Sequence, residues 1–189
     1  MSWLFQIRLV LGILMCGALL PCFAQGTIGV RNLGNLVNAP IFLPDCITPV
    51  SGLGFRAALY AGPAGSLEPA LVLIADSVTP FLTRASGYFD GGVRPIPGVP
   101  AGAMAVLQVR VWATAAGSYE AAAAGGGLYG KSDLFELGLG HGTFGPPPPA
   151  LIGLKSFCLV PEPSNIALAV IGGLCLLASC WNRSYKNLS

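Results

Sequence analysis

Apolar and polar residues alternate with period two over residues 103–113. Ala105, Leu107, Val109 and Val111 share one face, while Gln108, Arg110 and Trp112 share the other. That spacing predicts a β-strand with the first set turned inward. Residues 55–60 repeat the pattern more briefly, and shorter strand-like runs fall at 26–30, 36–43, 70–75, 79–83, 88–93, 134–139 and 151–159. Dense turn signals separate them: Ala61-Gly62-Pro63-Ala64-Gly65, Asp90-Gly91-Gly92, Pro95-Ile96-Pro97-Gly98-Val99-Pro100 and Pro146-Pro147-Pro148-Pro149. Many short strands joined by Gly and Pro turns predict an all-β domain, sandwich-like or barrel-like. Tyr119-Glu120 and the four alanines after it predict a turn or two of helix, stopped by Gly125-Gly126-Gly127.

The two ends of the chain follow a different pattern. Arg8 precedes an uncharged apolar run over residues 9–20, then the helix breaker Pro21 and the small-residue site Cys22-Phe23-Ala24. A basic start, an apolar stretch of about 7 to 15 residues and an A-x-A-like end describe a secretory signal peptide, 1–24, cut between Ala24 and Gln25; the alternative is an uncleaved anchor. At the other end, residues 163–182 carry no charge. At about 1.5 Å per residue they span roughly 30 Å, the thickness of one hydrocarbon core. This predicts a transmembrane helix over 164–181. Arg183 and Lys186 follow it, with Trp181 and Tyr185 suited to the interface, so the positive-inside rule puts residues 183–189 in the cytoplasm and the body outside.

Composition changes the picture once the ends are set aside. The chain is 53% hydrophobic and 10% charged, which looks membrane-like, but the two ends hold most of the excess. The 136 residues of 25–160 suit one exported domain. Within it seven basic residues (Arg31, Arg56, Arg84, Arg94, Arg110, Lys131, Lys155) balance seven acidic ones (Asp45, Glu68, Asp76, Asp90, Glu120, Asp133, Glu136). A neutral body with scattered cations lacks the clustered basic surface that nucleic acid demands, so that partner class is excluded.

Between body and helix stands Val160-Pro161-Glu162-Pro163-Ser164. Pro-Glu-Pro, one hydrophobic span and a short basic tail, in that order over residues 160–186, resemble the PEP-CTERM sorting signal of Gram-negative bacteria. The resemblance implies recognition by an exosortase, a membrane-embedded protease or transpeptidase cutting within 161–164, and makes 161–186 the sorting segment. Two prolines keep the backbone extended and accessible just above the bilayer. Gln25-Gly26-Thr27, Asn38-Ala39-Pro40-Ile41-Phe42-Leu43-Pro44-Asp45, residues 59–65, Val109-Arg110-Val111-Trp112 and Tyr129-Gly130-Lys131-Ser132 also resemble a group of secreted PEP-CTERM proteins typical of Verrucomicrobia and relatives. That group carries no assigned activity.

Apparent active sites are thin. Gly125-Gly126-Gly127-Leu128-Tyr129-Gly130-Lys131-Ser132 fits G-x-x-x-x-G-K-[ST], but a phosphate loop needs a strand before it and a helix after it, and here an alanine-rich piece precedes and strand-like residues follow. His141 is the sole histidine, with no G-x-S-x-G elbow near any serine, and reads as a loop residue. Asp45, Asp76, Asp90 and Glu120 supply carboxylates that a glycosidase-like pair would need. Nothing in the chain implies a cofactor. Cys46 and Cys158 form an even pair in an exported body and are a disulfide candidate; two buried or free thiols are the alternative. Trp112, with Tyr60, Tyr88 and Tyr119, offers rings for stacking on a saccharide, against core packing. The expectation is thus a non-catalytic envelope or extracellular-matrix protein held first at the inner membrane. The alternatives are a carbohydrate-binding module with an exopolysaccharide partner and a hydrolase.

Overall fold

A computed structural model describes residues 24–34, 36–141 and 147–161. Residues 1–23 of the expected signal peptide and 162–189, which hold the expected transmembrane helix 164–181, lie outside them. Among the described residues no helix is long and apolar enough to cross a membrane.

The described chain is dominated by β-strands: β1 (Gln25–Arg31), β2 (Leu33–Gly34), β3 (Val37–Asn38), β4 (Ile41–Phe42), β5 (Phe55–Pro63), β6 (Val72–Leu73), β7 (Thr79–Pro80), β8 (Asp90–Pro100), β9 (Met104–Ala113), β10 (Tyr129–Lys131), β11 (Phe135–Gly138) and β12 (Phe157–Cys158). The one short helix, α1 (Tyr119–Ala121), is capped by the Ser118 hydroxyl, which accepts from the Ala121 amide at 3.1 Å. It runs on as a looser turn over Ala122–Gly126. The all-β character thus agrees with the period-two spacing.

At the centre β5 and β9 pair antiparallel over nine residues, Phe55 opposite Ala113 through Pro63 opposite Ala105. Each flank of this pair is completed by two short strands: β6 and β7 border β5, and β10 and β11 border β9. Where each flank breaks, a serine takes over. The Leu59 amide donates to Ser77 Oγ at 2.8 Å, and across the sheet the Val109 amide donates to Ser132 Oγ at 3.0 Å. A hydroxyl can accept there while donating onward, Ser77 to the Ile74 carbonyl at 2.6 Å and Ser132 to that of Asp133 at 2.7 Å. Both serines are buried, so without this the central amides would be left unpaired at a cost of about 1–3 kcal/mol each.

A second sheet, β1 with β8, packs with β8 across β5. Ile28 and Val30 from β1 and Ile96 and Val99 from β8 join Leu59, Leu107, Val109 and Val111 in one core, all 2% exposed or less. The prolines of 95–100, expected as a turn, lie inside strand β8 instead. That strand pairs only with β1, so the missing N–H groups of Pro95, Pro97 and Pro100 cost no ladder bond on its open side. Residues 36–43, expected as one strand, break into β3 and β4 around Pro40, and 151–159 pairs only at Phe157–Cys158. Asn32, fully buried, pins three segments: its amide donates to the Ala39 and Gly87 carbonyls, and its oxygen accepts from the Phe89 amide.

The outer face of the β5–β9 pair departs most from expectation. Gln108 and Trp112 are only 1% and 4% exposed, because Tyr60, Leu71, Tyr119 and Ala122 close over that face in a second, smaller cluster.

Candidate functional site

Residues 157–160 are held in a short stretch of pairing. β12 runs parallel to β4, the Leu159 amide donates to the Phe42 carbonyl at 2.9 Å, and the Val160 amide donates to the Tyr129 carbonyl at 2.7 Å. Gly130 permits this approach, since a Cβ there would meet Leu159 Cδ2 at 2.9 Å and Leu159 Cα at 3.2 Å. Pro161 follows, exposed and without an amide hydrogen, so the ladder cannot continue through it. Glu162 and Pro163 of the sorting triplet lie outside the described residues.

One turn of backbone from that end, Cys158 is joined to Cys46 in a disulfide with Cα atoms 5.3 Å apart, closing 112 residues of chain. Cys46 takes a left-handed φ of 54° in a turn that its neighbour builds. The Asp45 carboxylate accepts from the Ile47 and Thr48 amides at 3.0 and 2.9 Å and from the Thr48 hydroxyl. The hydroxyl first and the two amides next hold the Asp45 carboxyl below its ordinary range. Its role is to present Cys46.

Ala24 is exposed, its carbonyl accepts from the Ala101 amide at 2.9 Å, and β1 starts at Gln25 opposite Pro100. Cleavage after Ala24 would leave every residue of β1 in place.

Of the carboxylate and aromatic candidates, Glu120, Tyr60, Trp112 and Tyr119 meet on the outer sheet face, joined by Glu68; Asp45, Asp76, Asp90 and Tyr88 lie elsewhere. Arg110 lies over the Tyr60 ring at 3.9 Å from its centroid and 5.0 Å from that of Tyr119. Its guanidinium faces Glu68 at 3.8 Å and Glu120 at 3.6 Å, and its Nε donates to Gln108 Oε1 at 2.8 Å. Lys131 closes on Glu68, and the Tyr60 hydroxyl donates to Glu120 at 2.8 Å. Two acids and two bases thus balance. The Lys131 hydrogen bond holds the Glu68 carboxyl below its ordinary range, against desolvation. Desolvation is the largest single influence on Glu120 and pushes up, but the Tyr60 hydroxyl, the backbone and Arg110 together bring it below its ordinary range. Burial first, then the bond to Glu120, pushes the Tyr60 phenol up to about 12, and burial likewise raises Tyr119.

A glycosidase-type acid needs a raised carboxyl beside an ionised one. Glu68 and Glu120 are both held below their ordinary range, each facing the Arg110 guanidinium.

Trp112, weighed by the sequence between saccharide stacking and core packing, is a core residue. At 4% exposure its faces are taken by the cluster that covers it, and Tyr60 and Tyr119 are buried at 5% and 8%. Tyr88 is half-buried with its hydroxyl on Asn38 at 2.6 Å. Lys131 and Ser132 of the glycine-rich stretch sit on and beside strand β10, with strand β11 following where a phosphate loop would need a helix. His141 is exposed, and so are Asp76 and Asp90. Among the described residues no three His, Cys, Asp or Glu side chains gather to hold a metal ion.

No family model, curated protein or solved structure matches the chain. The functional reading therefore rests on the chain's own residues. Sequence reasoning missed Arg110 as the hub of the outer face. Its position between Gln108 and Trp112 on a strand was visible; the cover supplied by residues 68 and 119–122 was not.

Proposed function

We propose that this chain is an exported, non-catalytic envelope or extracellular-matrix protein. It carries one β-sandwich-like domain between a cleaved signal peptide and a PEP-CTERM segment whose transmembrane helix first holds it in the inner membrane. An exosortase then receives Pro161-Glu162-Pro163 and passes the body to the cell surface or medium. The observation that carries this reading is the Cys46–Cys158 disulfide, which ties the C-terminal strand of the described residues to the turn at 45–48. Cuts after Ala24 and within 161–164 would remove no residue of the described core. The Cys46–Cys158 bond supports export, because such bonds persist in oxidising compartments. It also fastens β12, so cutting three to six residues downstream of Cys158 leaves a stapled end. With Trp112 buried and the acids paired, neither a saccharide-stacking platform nor a hydrolase draws support from the same face.

The test is Glu162→Ala in a host with and without an exosortase. Folding and signal-peptide removal are expected to be unchanged, while the variant stays membrane-bound where the wild type is released. An identical distribution in all four cases would reduce the segment to a plain anchor.

A further inference from the structure

Three local irregularities converge on the end of β1, away from both processing points and from the outer-face cluster. The pairing of β1 with β8 slips between Gly29 and Arg31, a bulge of the sort that re-aims a side chain. Leu36, five residues on, holds a left-handed φ of 66° and is 85% exposed, a costly backbone for a branched apolar side chain. Arg31 is half-buried, and while its carbonyl accepts from the Leu151 amide at 3.4 Å, its side chain makes no hydrogen bond or ion pair among the described residues and its Nε is fully covered. Asp90, opposite it in register, instead accepts from the Gly92 amide at 2.8 Å.

These residues border one groove of about 300 Å³. Arg31 lies back along its own strand over Gly29, where a Cβ would meet Arg31 Nε at 3.2 Å and Nη2 at 3.3 Å. The far wall is Pro147, Pro148 and Pro149, with Leu36 and Ile152 completing the apolar lining, and no acid borders it among the described residues. That wall is fixed. The Gly29 amide donates to the Pro149 carbonyl at 2.8 Å, and Gly140 lets the run close in, since a Cβ there would come within 2.8 Å of Pro148 Cα.

We infer that this groove is a binding site for a small carboxylate with an apolar body. A cation held in a partly desolvated groove without a counter-charge gains most from an anion, because the Coulomb energy grows as water is excluded. The planar guanidinium suits a carboxylate in particular. The prolines, Leu36 and Ile152 would pack an apolar ring or short chain, which inorganic anions lack. The volume stands at the lower limit of ligand pockets, roughly 300–1,000 Å³, and favours a ligand of one ring over a polymer. The bulge and the Leu36 conformation then have a purpose: they aim the charge and the rim at a common occupant.

The test titrates phenylacetate into the full ¹⁵N-labelled chain in lipid nanodiscs and follows the amides of Gly34, Leu36, Ala150 and Ile152. Phenylacetamide keeps the body and removes the charge; inorganic phosphate keeps a charge and removes the body. Saturable shifts confined to these amides are expected with phenylacetate, at an affinity at least tenfold above either control. Arg31→Gln should weaken it at least tenfold. Leu36→Asp, at an exposed position whose left-handed backbone aspartate tolerates, should weaken it severalfold by setting a carboxylate at the rim. It carries the test if Arg31→Gln does not fold. No saturable shift, equal binding of phenylacetamide, phosphate binding as tightly as phenylacetate, or indifference to both substitutions would each overturn the assignment.

Discussion

On the inner face of β5 and β9, Leu59, Leu107, Val109 and Val111 meet only apolar neighbours. On the outer face of the same strands, Tyr60, Gln108, Arg110 and Trp112 are covered almost as completely, by α1 and the 68–71 segment. The inner face gains by excluding water from hydrocarbon, a contribution that does not depend on pH. The outer face gains by fixing one guanidinium between two rings and two carboxylates, which works only while the acids are ionised and the phenol is neutral. Titratable groups on a sheet face therefore do not of themselves mark chemistry. Here they act as the seal over a second core.

The sharpest way to break the comparison is Val109→Asp. An unpaired carboxylate at a fully buried site costs several kcal/mol, a large part of the 5–15 kcal/mol typical of a domain. Circular dichroism should show no cooperative unfolding; a variant that melts like the wild type would mean that the inner face is not the core. Removing the disulfide with Cys46→Ser comes next. A loop of this length implies roughly 4–5 kcal/mol in the chain-entropy picture, read as a lower denaturation midpoint. Arg110→Ala should cost about 2–3 kcal/mol, through the buried Gln108 oxygen left unpaired and the lost ring contacts, and should leave the inner face's resonances unmoved. If it shifted both faces alike, the two clusters would be one.

The smallest effect is the dependence on pH. Tyr60 has its folded value raised to about 12 from an ordinary value of 10.0, so its contribution is complete below pH 10 and is lost as pH climbs toward 12. Glu68 and Glu120 have lowered folded values, so theirs is complete above the ordinary glutamate range and is lost as pH falls below it. Side-chain exposures of 36% and 61% keep the acid-side loss modest. Tyr60→Phe should cost about 1 kcal/mol at neutral pH and flatten the alkaline fall in melting temperature. A fall of unchanged steepness would assign it to another group.

The inner face was legible because alternation along one strand suffices to read it: Leu107, Val109 and Val111 announce their direction by spacing alone. The outer face was not, because its cover comes from a three-residue helix and a turn that fold back from just beyond each strand, and no local pattern tells a covered Trp112 from an exposed one. Strand β8 was obscured for another reason. Its prolines carry turn signals that matter only if both sides of the strand must donate, and one side of β8 is open. The Cys46–Cys158 pair was readable as a possibility from cysteine count and compartment; the turn that Asp45 builds around Cys46 decides the geometry. Arg31 was one of seven scattered cations until the bulge, Leu36 and the proline wall gathered around it.

The central claim is that a folded body bounded by two processing points is handed on by its C-terminal segment. Intact mass of the protein recovered from outside exosortase-bearing cells tests it most directly. The account predicts one disulfide-bonded species that begins at Gln25 and ends between residues 161 and 164, with any attached group adding to that mass. A secreted species that retains Met1, or that still carries residues 166–181, would contradict it.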